Sequence, residues 1–210
     1  MSTDKFQRIS NYCIGADVLD LGCIGDNVSE GGPLGLFNSI RSVANSVVGI
    51  DNNTERLKLI AKINADNPTD QVLVLHGDAE QLKQMQFKKK FDVIVASELI
   101  EHLSNPGLFL DGIYDHLAPG GKAIITTPNA FFSLDFIRLM LRGKPQIWYE
   151  HTCMFDEITA TEIFRQHGFE VERCDYITDI QNKSGLIRRI MAFWNRRFGH
   201  TMFFVLKKSR

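Results

Sequence analysis

Three side chains of ligand type, Glu98, Glu101 and His102, follow directly after an apolar run. If a helix begins there, their i, i+3 and i+4 spacing places all three on one face. Two carboxylates and an imidazole could coordinate a divalent cation. An imidazole alone could take a proton from a hydroxyl near neutral pH. The same pattern would also suit an ordinary helix start, where acids complement the helix dipole and a histidine simply packs.

A second histidine favours the catalytic interpretation. The strand ending at Pro128-Asn129 is followed by a long excursion, from which the chain returns at Glu150-His151-Thr152. We expect His151 to lie above the adjacent strand, within reach of His102. Both histidines are therefore candidate catalytic residues, either as metal ligands or as the general base for a hydroxyl nucleophile.

The element expected to position this cluster is a buried strand that ends in a glycine turn. Val18-Leu19-Asp20-Leu21 runs into Gly22-Cys23-Ile24-Gly25. Open α/β sheets build nucleotide pockets at such strand ends. Ile24 occupies the place of the second glycine in the dinucleotide fingerprint, which counts against a nicotinamide or flavin enzyme. The phosphate-binding G-x-x-x-x-G-K-[ST] pattern is missing as well, which argues against a P-loop enzyme.

Polar residues also follow three later apolar runs. Asp51 comes directly after Ser46–Ile50, and its carboxylate could accept both hydroxyls of a ribose. Asp78 follows the run at Val72–Leu75, and Ser97 follows Phe91–Ala96. Each acid alone could be a solvated loop residue or a helix N-cap. Four such strand ends in order favour a nucleoside pocket at one edge of a sheet.

These motifs resemble the class I S-adenosylmethionine-dependent methyltransferases, from about Val18 to the C-terminus. The resemblance rests on VLDLGCIG, VVGID, GDAE, FDVIVASELIEHL and LAPGGKAIITTPN. It implies an α/β, Rossmann-like three-layer methyltransferase fold, with a mostly parallel seven-stranded sheet and an antiparallel last strand. It also implies S-adenosylmethionine as the cofactor, in contact with Asp20, Gly22, Cys23, Gly25, Asp51, Asn52, Asp78, Ala79 and Ser97.

The resemblance also implies a role for each part of the pocket. The Gly22 turn would hold the methionine part and Asp51 the ribose, while Asp78 and Ala79 would meet the adenine. Ser97 would lie under the sulfonium. The chain departs from the family at Ile24, where most relatives have glycine, and in a longer segment containing Glu30-Gly31-Gly32-Pro33.

The E-x-x-E-H cluster with a later histidine resembles two metal-assisted groups within this family. One is the ubiquinone-biosynthesis-type O-methyltransferases, and the other methylates the 2′-hydroxyl at the 3′ end of small RNAs. The resemblance implies Mg²⁺ or Mn²⁺ held by Glu98, Glu101, His102 and His151. We expect O-methylation of a hydroxyl on a small-molecule, lipid-linked or sugar acceptor. The alternatives are RNA 2′-O-methylation and a catalytically silent, cofactor-binding partner subunit.

Length and composition predict one domain. The chain has 210 residues and a formal net charge of −1, so no overall field favours nucleic acid. We expect a single methyltransferase domain over residues 1–210, with cap segments at 1–15, 130–152 and 183–198. Four scattered cysteines are typical of reduced thiols in a cytoplasmic protein. The polar N-terminus predicts no secretory signal, and no apolar run is long enough to span a membrane.

Two of these segments are candidate walls of an acceptor pocket. Residues 130–149 are rich in aromatic and aliphatic side chains, which suit an apolar pocket. Residues 183–198 combine arginines with aromatic and aliphatic side chains and contain no acid. This segment could pack as a lid, contact a membrane surface peripherally or meet an anionic substrate. The oligomeric state stays open.

Hydrophobic periodicity and turn residues predict the remaining elements. Helices are expected at Asp4–Tyr12, Pro33–Ala44, Thr54–Asn64, Leu108–Leu117 and Glu157–His167. Strands are expected at Lys122–Thr127, Phe169–Ile177 and Met202–Lys207, and the resemblance implies that the last is antiparallel to its neighbour.

Overall fold

The computed structural model describes residues 2–25, 32–66, 71–132, 139–143, 150–177 and 199–209. The strands are β1 (Asp17–Leu21), β2 (Ser46–Asp51), β3 (Val72–His76), β4 (Phe91–Ser97), β5 (Leu117–Pro128), β6 (Phe169–Ile177) and β7 (Thr201–Lys208). The α-helices are α1 (Ser2–Tyr12), α2 (Gly35–Arg41), α3 (Leu57–Asp66), α4 (Pro106–His116) and α5 (Glu157–Gln166). Short 3₁₀ turns cover Gly32–Leu34, Thr54–Arg56, Ala79–Gln84 and Ile100–His102.

The strands form a seven-stranded sheet in the order β3-β2-β1-β4-β5-β7-β6. Strands β1 to β5 pair in parallel, whereas β7 runs antiparallel to both β5 and β6. The order reverses at β1, which lies between β2 and β4. Open α/β sheets bind ligands at this switch point, outside the carboxyl ends of the strands. The fold therefore brings the ends of β1, β2 and β4 together at one edge.

Helices cover both faces of the sheet, so the expected three-layer architecture is confirmed. On one face, α1, α2 and α3 pack with Val18, Val95 and Ile124 in a single apolar cluster. On the other, α4 and α5 pack with Leu19 and Ile94. Neighbouring residues of β1 thus point into opposite cores, which is why its sequence is a continuous apolar run.

The bounds of most elements confirm the sequence predictions to within a few residues. Strand β6 has the predicted bounds, and β7 is one residue longer at each end. Strand β5 is the main difference, because it begins at Leu117 and includes the Pro119-Gly120-Gly121 stretch that was expected to precede it. Gly120 has a φ of +78°, so this stretch bends within the strand.

The predicted lid, 183–198, lies outside the described residues, as do parts of the excursion at 130–152. Of the helices that the structure describes, none combines the length and apolar content that a membrane span requires.

Candidate active site

The segment Glu98–His102 does not form the expected helix. Glu98 has a φ of +52°, in the left-handed region, and a 3₁₀ turn follows at Ile100–His102. The next α-helix starts only at Pro106, where proline is well suited to the first helical turn. The prediction of three side chains on one helix face is therefore wrong. The physical reason is that the Glu98 N–H donates across the sheet to the Thr126 carbonyl at 2.9 Å, which holds Glu98 at the strand end.

The structure nevertheless brings three of the four predicted metal-site residues together. One ligand atom each from Glu101, His102 and His151 lies within 4.8 Å of the others. The two imidazole rings have their centroids 4.7 Å apart and are nearly perpendicular, at 89°. The expectation that His151 returns within reach of His102 is thus met. Glu98 lies outside this group.

Glu98 is occupied by other partners. Its Oε1 accepts a hydrogen bond from Thr126 Oγ1 at 2.9 Å. The same oxygen lies 3.5 Å from Lys5 Nζ, which reaches it from α1. The N-terminal helix is therefore joined to the site through Glu98.

Glu101 is the buried acid of the cluster, with 1% of its surface exposed. Its carboxylate accepts a hydrogen bond from Thr127 Oγ1 at 3.0 Å, while Oε1 has no partner among the described residues. Burial, reinforced by the charge of the neighbouring Glu98, raises the pKa of Glu101 well above its usual value. Burial and the adjacent His102 lower the pKa of His151 below its usual value. An orphaned buried oxygen beside two imidazoles fits a divalent cation with mixed ligands.

The Gly22 turn contacts the same segment. Gly22 has a φ of +68°, and its N–H donates to the Ile50 carbonyl at 2.8 Å. A Cβ at Gly22 would lie 3.2 Å from Leu99 Cδ1, so the turn approaches the chain between Glu98 and Glu101 closely. A ligand held by the turn would therefore lie beside the acid–histidine cluster.

Asp51 closes the turn from the end of β2. Its two carboxylate oxygens accept the backbone N–H groups of Ile24 and Asn53, each at 3.0 Å. Each oxygen can accept a further hydrogen bond, and the residue is 7% exposed. Asp51 could therefore accept ribose hydroxyls while holding the turn in place.

Asp20 lies beneath this turn with 1% of its surface exposed. Its Oδ2 has no partner among the described residues. Burial and the charge of Asp51 raise its pKa to about 8. Cys23 is buried as well, and its Sγ would lie 2.6 Å from a Cβ added at Gly49. Only glycine leaves room for the turn at that point of β2.

The remaining predicted cofactor residues lie at neighbouring strand ends. Gly25 donates its N–H to the Pro33 carbonyl, and the exposed Asn52 has its carbonyl 3.1 Å from His76 Nε2. Asp78 caps the turn at Ala79–Gln84 through the Glu80 N–H at 2.9 Å. Ala79 is buried, and Ser97 Oγ lies 3.1 Å from Thr126 Oγ1.

Sequence reasoning missed three supporting residues. The Arg56 guanidinium donates to the carbonyls of both Ile24 and Gly25, which fixes the turn from outside. Thr126 and Thr127 each hold one carboxylate of the Glu98–Glu101 pair. The threonine pair lies in the quoted LAPGGKAIITTPN motif, but its spacing alone did not reveal these partners.

The fold and this edge define a doubly wound α/β protein in which a glycine turn, the Asp51 carboxylate and an acid–histidine cluster adjoin one another. A family model described as a methyltransferase domain matches residues 4–173. The chain belongs to this methyltransferase family, as its strand-end motifs predict.

Curated relatives agree with the family, and a solved structure agrees with the fold. A protein of Mycolicibacterium smegmatis assigned as an S-adenosylmethionine-dependent methyltransferase is 32% identical over 168 residues, covering 80% of this chain. The mitochondrial ubiquinone biosynthesis O-methyltransferase of Rattus norvegicus is 34% identical over 116 residues, covering 55% of it. The crystal structure of an S-adenosylmethionine-dependent methyltransferase from Archaeoglobus fulgidus has a TM-score of 0.67 at 18% identity. That match covers 99% of this chain and 93% of the other.

The curated relatives are longer than the matched region. This chain spans 57% of the length of the Mycolicibacterium smegmatis protein and 31% of that of the rat enzyme.

Proposed function

We propose that this domain transfers a methyl group from S-adenosylmethionine to a hydroxyl oxygen of a small-molecule, lipid-linked or sugar acceptor. The observation that carries the proposal is the cluster of Glu101, His102 and His151 beside the Gly22 turn. A buried acid and two imidazoles are suited to removing a hydroxyl proton, whereas a positioning-only methyltransferase would not need them. Similarity to ubiquinone biosynthesis O-methyltransferases supports an oxygen acceptor.

In this proposal the residues of the chain have distinct tasks. Gly22 lets the turn approach the methionine part of the cofactor, and Asp51 accepts the ribose hydroxyls. Whichever of His102 and His151 is not a metal ligand takes the proton of the acceptor hydroxyl and orients its oxygen, and if both are ligands the coordinated hydroxyl loses its proton to solvent. When bound, the cofactor supplies an electrophilic methyl group on a positively charged sulfur. Methyl transfer is an in-line displacement, so most of the catalytic effect comes from holding the oxygen in line.

A divalent cation is part of the same proposal. Glu101, His102 and His151 would hold Mg²⁺ or Mn²⁺, the latter favoured by two nitrogen ligands. The ion would lower the pKa of a coordinated hydroxyl and fix its direction. Glu98 could join the set only by giving up its hydrogen bond to Thr126 and its ion pair with Lys5.

Binding and turnover test the proposal separately. Calorimetry should show micromolar binding of S-adenosylhomocysteine. Turnover should be measured with radiolabelled S-adenosylmethionine and three probes, namely catechol, a free hexose and a short RNA with a 3′-terminal 2′-hydroxyl. Each probe should be tested with chelator and again after adding back Mg²⁺ or Mn²⁺. Methylation of catechol or the sugar supports the proposal, whereas methylation of RNA alone favours the 2′-O-methyltransferase alternative.

Histidine variants separate the roles within the cluster. His102→Gln should lower turnover by about 100-fold or more, since a general base or ligand contributes at that level. His167→Gln is the matched control, because His167 pairs with Asp111 between α5 and α4. Loss of turnover in His102→Gln, without any effect of chelator, would make the histidine a base and exclude the ion. Cofactor binding without turnover of any probe would favour a silent partner subunit.

A further inference from the structure

The returning segment is attached to the 3₁₀ turn at Ile100–His102 by a set of hydrogen bonds that we call the Thr152 clamp. The Thr152 N–H donates to the Glu101 carbonyl at 2.9 Å, and the Cys153 N–H donates to the same oxygen at 3.1 Å. The Thr152 hydroxyl lies 2.7 Å from the Leu103 carbonyl and 3.1 Å from that of Glu101. A hydroxyl has one proton to donate, so the shorter contact, to Leu103, is its main bond.

The Thr152 clamp connects the backbone on both sides of His102 to the residue that follows His151. The carbonyls of Glu101 and Leu103 flank His102 in sequence, and Thr152 directly follows His151. Hydrogen bonds from one short segment therefore grip the backbone immediately before and after His102. Because His151 directly precedes Thr152, the position of the His151 ring relative to His102 depends on the hydrogen bonds of the Thr152 clamp.

The far end of the returning segment has its own anchor. The Ala130 N–H donates to the Phe155 carbonyl at 2.8 Å, and the Phe155 side chain is 7% exposed. Phe155 fixes the segment to the end of β5, on the side away from His151. Thr152 lies between this anchor and His151, and it is itself exposed, so burial does not hold it in place.

We propose that Thr152 is a positioning residue of the methyl-transfer site, whose hydroxyl sets the His151 ring against His102. This inference rests on the proposed function, in which these two rings face the acceptor hydroxyl. The hydroxyl acts through its bond to the Leu103 carbonyl, so Thr152 has no chemical part in methyl transfer. A displacement of about 1 Å in a catalytic group can lower the rate on the order of a hundredfold, so loss of the Thr152 hydroxyl bond should lower turnover.

The juxtaposition of the two rings can be measured without any acceptor. The chain has six histidines, and labelling only these with ¹³C gives a simple spectrum of ring protons. Centroids 4.7 Å apart predict a nuclear Overhauser effect between the rings of His102 and His151. Thr152→Val keeps the shape but removes the hydroxyl, so this effect should weaken or disappear. Thr152→Ser keeps the hydroxyl and should restore it.

Two controls separate positioning from general damage. Thr161→Val makes the same chemical change within α5 and should leave the ring contact unaltered. Affinity for S-adenosylhomocysteine should stay the same in all variants, because Thr152 is not part of the cofactor turn. If Thr152→Val does not fold, Thr152→Ala and Thr152→Ser provide the same comparison.

Turnover gives the functional readout. With the best probe, Thr152→Val should lower kcat by about tenfold or more and leave KM for S-adenosylmethionine unchanged, while Thr152→Ser stays within about twofold of the parent. A ring contact that persists in Thr152→Val overturns the proposal, and so does its absence from the parent protein. If no probe is methylated, the proposed function fails, but the ring contact still decides the role of Thr152.

Discussion

Replacing Asp51 by alanine should both weaken cofactor binding and destabilise the fold, because its carboxylate binds backbone N–H groups of the turn and, under the proposed function, the ribose. In the structure its oxygens accept the N–H groups of Ile24 and Asn53, each at 3.0 Å. Under the proposed function the same oxygens also accept the ribose hydroxyls. Asp51→Asn is the informative companion, because it keeps the size and one acceptor oxygen but removes the charge.

The magnitudes follow from the hydrogen bonds lost. A hydrogen bond to a charged acceptor contributes about 1.5–3 kcal/mol, so losing the ribose contact should weaken binding about 10- to 150-fold. Without ligand, Asp51→Ala leaves the buried Ile24 N–H unpaired, which should cost about 1–3 kcal/mol of unfolding free energy. Asp51→Asn should lose most of the affinity but less of the stability, because its amide oxygen can still accept the Ile24 N–H.

Two measurements keep these effects apart. Calorimetry with S-adenosylhomocysteine gives the affinity, and urea unfolding without ligand gives the stability. Asp66→Ala, at the exposed end of α3, is a matched control for loss of an acid and should change neither. If Asp51→Ala folds and binds S-adenosylhomocysteine as tightly as the parent, the ribose assignment is refuted. A stability loss alone would leave Asp51 only as the residue that holds the turn.

Three further changes test the surroundings of the site. Because the pKa of Asp20 is raised to about 8, the folded state keeps a proton that the unfolded state loses near pH 4, so this group makes stability fall between about pH 4 and 8. In urea unfolding, Asp20→Asn should reduce the dependence of the unfolding free energy on pH by up to about 1.4 kcal/mol per pH unit over this range. Gly49→Ala should cost about 1–3 kcal/mol and weaken S-adenosylhomocysteine binding, because its Cβ would meet Cys23 Sγ at 2.6 Å. The Asn64 side chain accepts the N–H of edge-strand residue Val74 and donates to its carbonyl, each at 2.7 Å, so Asn64→Ala should cost about 1–3 kcal/mol in urea unfolding.

The strand ends were the most predictable part of the molecule. A short apolar run can be buried on both faces of a parallel sheet, and a glycine or a polar residue then marks its end. Leu21 before Gly22, Ile50 before Asp51 and Ala96 before Ser97 all follow this rule. Since parallel strands bring their carboxyl ends to one edge, the place of the candidate site follows from the strand order.

The wrong helix at Glu98 shows where local spacing stops being informative. An α-helix and a 3₁₀ turn both bring residues i and i+3 to one side, so the E-x-x-E-H spacing does not distinguish them. The outcome depends on the hydrogen bonds from Glu98 to Thr126, a residue of a different strand. Pro106 was the usable local signal, because proline favours the first turn of a helix and disfavours helix at the residue before it.

Partners far apart in sequence were beyond prediction for a related reason. Arg56 reaches the turn 31 or 32 residues earlier, and Thr152 reaches Leu103 across 49 residues. No periodicity connects such positions, because the contacts exist only after the sheet has placed its loops side by side. The approach of His151 to His102 was foreseeable because it needs only strand order, whereas the clamp that sets their distance was not.

The departure at Ile24 is also explained by such long-range bonds. A second glycine at this position would allow unusual backbone angles, yet the turn uses a positive φ at Gly22 and not at Ile24. The Ile24 N–H is held by Asp51 and its carbonyl by Arg56, so the backbone needs no extra freedom there. Its side chain is 5% exposed and packs in the core cluster with Phe37. Ile24 thus joins the Gly22 turn to the core cluster that contains Phe37 of α2, and the bonds to its N–H and carbonyl hold the turn in place.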